Sequence, residues 1–157
     1  IELREATEND YESFFRIRSE KQNLFWTGYE KAPDYDTFFQ WFKNRLEESD
    51  RDIYMAINRD GQIIGYLNFD QYEEWIAIGY AILSEYQGQG YATKIVKQAT
   101  QLAKSKNKNL IAWISEKNIA SQKVVQKNGF KPIKYEYRIR LGKEEKYNRF
   151  DFVVKQK

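Results

Sequence analysis

The sequence predicts one mixed α/β (α+β) domain over residues 1–157, a mostly antiparallel sheet of about six to seven strands with helices on both faces. Three observations carry this. Short β-rich runs such as QIIGYLNF and LIAWIS alternate along the chain with longer stretches whose apolar residues recur every three or four positions. An Asp60-Gly61 pair joins two of the strand-like runs, a strong hairpin signal. A length of 157 residues, 41% hydrophobic and 17% aromatic, suffices for one packed core but not for two domains.

Taken in order, IELREA alternates as a short strand, and Thr7 with Asp10 three residues on marks a helix start for NDYESFFRIRSE. Phe14, Ile17 and Arg18 fall on one side of that helix. The segment KQNLFWTGYEKAPD, Lys21 to Asp34, has no period and carries Gly28 and Pro33, so it reads as a long loop. DYDTFFQWFKNRLEE then sets Phe38, Phe42 and Leu46 at helical spacing, with Asp34 or Asp36 as cap. Asp52–Asn58 and Gln62–Phe69 form the hairpin, and WIAIGYAIL, Trp75 to Leu83, has so little polar alternation that burial on both faces is expected. Ala92, Ile95, Val96, Ala99, Leu102 and Ala103 make an amphipathic helical stripe. LIAWIS is the next strand, and NIASQKVVQKNGF a short helix stopped by Gly129. KPIKYEYRIRL and KYNRFDFVVKQ, joined by the turn Leu141-Gly142-Lys143, end the chain as strands.

Composition removes whole classes of chemistry. There is no cysteine and no histidine, so disulfides, thiolate or imidazole metal sites, cysteine nucleophiles and Ser-His-Asp triads are all excluded. Proton transfer must use carboxylate, tyrosine, lysine, serine or water, and no metal is called for. No run of about 18 apolar residues exists and no charged-then-apolar leader follows Ile1, so the expectation is a cytoplasmic chain without a membrane partner. The net charge of +3 is divided: 9 Lys and Arg against 18 Asp and Glu from Ile1 to Thr93, then 17 against 5 to the end. One part should attract cations and the other anions, although charged faces also serve solvation alone.

The run YQGQGYATKIV, Tyr86 to Val96, carries two glycines at a helix start. It lacks the G-x-G-x-x-G spacing of a dinucleotide site and the Gly-Lys-Ser/Thr close of a Walker loop. Exposed amides at the positive end of a helix suit a phosphate or pyrophosphate, and a merely tight turn stays open beside that reading. Gln87-x-x-Gly90-x-Ala92 resembles the Gln/Arg-x-x-Gly-x-Gly/Ala signature of the GNAT superfamily of acetyl-CoA-dependent N-acetyltransferases. NIASQKVVQKNGF is similar to that family's Asn-x-x-Ser-x-x-x-x-x-Lys-x-Gly-Phe helix. The branch it resembles contains ribosomal-protein N-terminal and nucleotide-amino-sugar acetyltransferases. The likeness is weakest from Lys21 to Asp50.

The resemblance implies roles. The amides of Gln87, Gly88, Gln89, Gly90, Tyr91, Ala92 and Thr93 would cradle the pyrophosphate of acetyl-CoA. The pantetheine arm would pair with the backbone of Ala81, Ile82 and Leu83, where that strand splays from Leu110–Ser115. An amide near Ile82 would polarise the acetyl carbonyl. Asn118 and Ser121 match pantetheine-contacting positions, and Lys127 approaches the nucleotide end. Transfer would be direct attack by a primary amine, either a protein N-terminus, an amino sugar or a small amine. A homodimer is admitted as the assembly.

Two family positions are different here. The usual glutamate base falls on Ala77 and the usual tyrosine acid on Val125. Glu73, Glu74 and Asp70 are the carboxylate candidates for base, and Ser121 for acid, with bulk water the alternative to any base. Phe25, Trp26 and Tyr29 are acceptor-site candidates by stacking or cation–π contact, and equally candidates for core cover. Arg16 and Arg18 read as phosphate contacts or as solvent-facing, with the solvent reading preferred. A non-catalytic acetyl-CoA binder remains an alternative. A basic nucleic-acid module is disfavoured, because it leaves both motif blocks unexplained.

Overall fold

The computed structural model describes residues 1–154. Seven strands form one sheet: β1 Glu2–Glu5, β2 Arg51–Ile57, β3 Ile63–Gln71, β4 Trp75–Ile82, β5 Asn109–Ser115, β6 Lys131–Arg140 and β7 Lys143–Phe152. Their order is β1-β2-β3-β4-β5-β7-β6. All neighbours are antiparallel except β4 and β5, which run parallel and pair only from Trp75 with Asn109 to Ala77 with Ile111. From Ile78 onward the two strands separate, while β4 stays paired to β3 and β5 to β7. This V-shaped opening is the splay expected between Trp75–Leu83 and Leu110–Ser115.

Five α-helices cover both faces: α1 Tyr11–Ser19, α2 Lys21–Thr27, α3 Tyr35–Glu47, α4 Tyr91–Lys106 and α5 Ile119–Lys127. On one face Ile95, Val96, Ala99 and Ala103 of α4 pack with Leu67, Phe69, Ile76 and Leu110. On the other, Phe14 and Ile17 of α1 and Phe42 of α3 pack with Ile53, Met55 and Tyr66. The centre of each stripe that the 3.6-residue period picks out is thus buried against strands whose inward residues alternate, with Phe38, Leu46, Ala92 and Leu102 half-buried at the margins. Thr7 and Asp10 form the expected capping box, and Asp34 rather than Asp36 caps α3 by accepting from the Thr37 amide at 2.9 Å.

Three expectations change. Lys21 to Thr27 is helix, not loop. Its seven residues make only two turns, too short for a hydrophobic stripe to repeat, and the conformation is selected by burial of Asn23 and Leu24. Gly28, at φ +86°, stops it in the left-handed region that glycine enters freely. The middle of β4 is not buried on both faces: Ala77 to Tyr80 are partly exposed, because β5 has diverged and left that edge open. The last strand ends at Phe152, short of the expected run, whose final residues Lys155 and Gln156 lie outside the described residues. Among the described residues no helix is long and apolar enough to cross a membrane.

Candidate active site

The loop after β4 is built to leave amides unpaired. A single 3-10 turn, Ser84–Tyr86, follows Leu83, and its closing bonds use the amides of Tyr86 and Gln87, which donate to Leu83 O and Ser84 O at 2.9 and 3.2 Å. Gly88 at φ +74° and Gly90 at φ +84° then reverse the backbone. Among the described residues, the six amides from Gly88 to Thr93 have no protein acceptor, and the next, Lys94, returns to Gly90 O at 3.2 Å. Gly90 caps α4 without a side-chain bond. Six free donors at the positive end of a 16-residue helix suit an anion with several oxygens. Gln87, expected among the donors, has its amide committed to the turn.

The open edge of β4 supplies the second half of the site. The Leu83 amide crosses to Ile64 O of β3 at 2.9 Å. Backbone groups alternate sides along a strand, so those of Ile82 and Tyr80 turn the other way, into the splay. Ile82 O there accepts from Asn23 Nδ2 at 3.2 Å, and the same buried amide donates to Ile17 O at 2.8 Å. Asn23 therefore staples α2 to both α1 and the strand edge.

Helix α5 closes the opposite wall. Asn118 caps it, accepting from the Ser121 amide at 3.2 Å. One turn in, Ser121 Oγ lies 2.7 Å from the Tyr80 hydroxyl, either atom able to donate. Burial pushes the Tyr80 phenol up to about 12, against a smaller lowering by the Ser121 bond. Val125, where the family's tyrosine would stand, faces the core and is fully buried.

These elements enclose one cleft of about 470 Å³. Of the expected residues, Ala81, Ile82, Gln87, Gly88 and Gly90 line it, as do Ala92, Thr93, Asn118, Ser121, Lys127 and Trp26. Leu83, Gln89 and Tyr91 flank it without lining it. Phe25 and Tyr29 are exposed beyond its rim, Phe25 under the Arg140 guanidinium and Tyr29 under that of Arg18. Glu73 and Glu74 are exposed at the far end of β4, about seven strand steps or roughly 23 Å from Ala81. Asp70 is held by Arg45 and Arg51. Among the described residues no carboxylate lines the cleft, and Lys127 is its one fixed charge.

Gln22, Asn23, Thr27 and Tyr80 line the cleft without having been singled out from the sequence. The first three belong to the helix read as loop. For Tyr80 a signal existed: Ile78, Tyr80 and Ile82 share one face of β4, the face that α4 and α5 cover.

The acetyltransferase (GNAT) domain family matches residues 1–131, and the chain belongs to that family. An N-acetyltransferase of Archaeoglobus fulgidus, described as uncharacterized, is 24% identical over 135 residues, 78% of this chain and 88% of that protein. The crystal structure of spermidine N-acetyltransferase from Vibrio cholerae, in complex with CoA and spermine, superposes with a TM-score of 0.88 at 13% identity, covering 96% of this chain and 94% of that one. Ribosomal-protein-alanine N-acetyltransferase from Brucella melitensis gives 0.83 at 20% identity, covering 98% and 100%. The class of protein is therefore an N-acetyltransferase with the GNAT fold.

Proposed function

We propose that the chain moves an acetyl group from acetyl-CoA to a primary amine by direct attack within this cleft. One observation carries the reading: within the run of unpaired amides from Gly88 to Thr93, those of Gly88, Gly90, Ala92 and Thr93 belong to residues that line the same cleft as the part of the β4 edge that no strand pairs. The amides fit a pyrophosphate and the strand edge fits the amide-bearing pantetheine arm, which would add to it like a further strand. The CoA complex of the Vibrio cholerae neighbour supports the same donor.

When bound, acetyl-CoA supplies an activated acyl thioester. The Tyr80 amide, turned into the splay, polarises its carbonyl, with Ile82 on the same edge holding the arm. The amine forms a C–N bond to the acetyl carbon, and the C–S bond breaks. Ser121 gives a proton to the departing sulfur and takes one in turn from the Tyr80 hydroxyl 2.7 Å away, which recovers its own from water. With no carboxylate on the cleft wall, water takes the amine proton, and position together with carbonyl polarisation supplies the rate.

The reading includes a homodimer joined at β6. That strand ends the sheet, is exposed from Lys131 to Ile139, and shows Tyr135, Tyr137 and Ile139 along one face. Antiparallel pairing with a second copy, centred on Tyr137, sets Glu136 across from Arg138 of that copy.

Gly90→Val tests the donor site. A Cβ there meets nothing within 4 Å, so the fold survives, but the positive φ strains a branched residue by about 1–2 kcal/mol and shifts the amides. Isothermal calorimetry should show CoA affinity lost with the circular dichroism unchanged. Unaltered affinity would remove the reading, and tight CoA binding by the native chain with no turnover on any amine would reduce it to a binding protein.

A further inference from the structure

We propose that Arg18 anchors an anionic group of the acceptor, and that the acceptor is a small primary amine carrying a carboxylate or a phosphorus oxyanion; this rests on the acetyl-transfer reading above. Among the described residues, seven of the nine arginines pair with a carboxylate: Arg4 with Asp10, Arg16 with Glu85, Arg45 and Arg51 with Asp70, Arg138 with Glu136, Arg140 with Glu145 and Arg149 with Asp151. Arg59 has none and is exposed at a hairpin tip. Arg18 has none either, and it lies half-buried at the end of α1, beside the cleft and next to its lining residue Thr27 rather than in the lining itself.

Its seat is prepared. The guanidinium lies 4.6 Å from the Tyr29 ring centroid and 5.9 Å from that of Phe38. Nη1 donates to Thr27 Oγ1 at 2.9 Å, and Thr27 is itself a wall of the cleft. Stacking uses the flat face of the group and Thr27 uses one N–H, which leaves the other in-plane donors for a planar or tetrahedral oxyanion. None of the carboxylates nearest in the chain pairs with Arg18: Glu85 pairs with Arg16, while Glu20 accepts from the Ser84 amide and hydroxyl and Glu12 from the Tyr35 hydroxyl.

The distance suits a small molecule. Asn23 touches the β4 edge at Ile82 O, and Thr27 stands one turn further along α2, about 6 Å away. An anion on Arg18 and an amine at the β4 edge therefore fit within one compact acceptor. The same cleft discriminates against a polyamine, whose second ammonium would find no carboxylate on its walls.

The test is steady-state thiol release by the native chain with acetyl-CoA. The panel is an amino acid, its phosphonate analogue, the matched amines lacking the anion, spermidine and a peptide with a free N-terminus. An anion-bearing amine should exceed its matched neutral amine about 10- to 100-fold in kcat/KM, the range of a charge-assisted hydrogen bond. The carboxylate and phosphonate arms then say which oxyanion is taken. Arg18→Gln should collapse that ratio toward one, chiefly through KM, with CoA affinity by calorimetry unchanged, and Arg18→Lys should restore part of it. Preference for spermidine or the peptide overturns the proposal, as does equal use of the matched pair by the native chain, a result that needs no variant to fold. Loss of CoA binding in the native chain would instead mark failure of the acetyl-transfer reading itself.

Discussion

The bond between Tyr80 and Ser121 joins residues 41 positions apart, and in the proposed mechanism it carries the proton chemistry of a chain without histidine or a described cleft carboxylate. Ser121→Ala should lower kcat by about 10²-fold, the usual weight of one acid–base group, while CoA affinity holds. Tyr80→Phe should do so less severely, because Ser121 keeps its own proton. Stopped-flow thiol release against CoA calorimetry separates the two quantities. Buried phenols also set an alkaline limit. Burial raises Tyr66 and Tyr80 each to about 12, whereas unfolded tyrosine ionises near 10. The unfolded state therefore loses these protons first, so stability is full below about pH 10 and falls as pH rises toward 12. Urea midpoints measured from pH 9 to 11.5 should decline, and Tyr66→Phe should flatten the decline. An equal slope in that variant would place the loss elsewhere.

At the scale of the element, α2 is the wall that the linear pattern hides. Seven residues cannot display a repeating stripe, and its only strong local mark is the glycine that ends it. Long-range contacts decide it, chiefly Asn23, whose amide bonds Ile17 O and Ile82 O. Asn23→Ala should cost about 1–3 kcal/mol by taking the side-chain donor from Ile82 O and leaving Ile17 O with only the Glu20 amide at 3.4 Å, about 3 °C of melting temperature per kcal/mol at this size. It should also raise KM for acetyl-CoA, because the β4 edge loses its brace. Calorimetric melts and initial rates would show both. An unchanged KM would confine Asn23 to stability. The other elements were legible because each carries a period or a cap: the Ile95-Val96-Ala99-Ala103 stripe of α4, the Asp34 cap of α3, the Asn118 cap of α5. For β4 the same apolar run had two explanations, double burial or an open edge, and only the position where β5 diverges chose between them.

Across the whole molecule, sheet order gives the charge division a place. The acidic segment supplies β1 to β4 and the basic one supplies β5, β7 and β6, so the two parts meet at the splay that forms the cleft. An anionic donor thus has the basic part on one side, with Lys127 at its end of the wall. The β6 edge makes a separate prediction. Sedimentation equilibrium should give twice the 18.9 kDa of one chain, and Tyr137→Lys, which places like charges opposite each other at the two-fold, should return the single mass. A monomer for the native chain would dismiss that interface.

The sequence by itself determined the fold class and marked out the donor end of the proposed site. The two motif blocks, Gln87 to Thr93 and Asn118 to Phe130, carry the consecutive free amides from Gly88 to Thr93 and the Asn118 cap, and such short-range bonding is written in short-range spacing. Tertiary structure alone decided the rest: that Glu73 and Glu74 stand at the end of β4 away from the cleft, that Tyr80 reaches Ser121, that Asn23 holds Ile82, and that Arg18 sits beside Thr27 at the cleft. Each of those depends on which residues of distant segments the sheet register and helix packing bring face to face. No spacing within one segment encodes that.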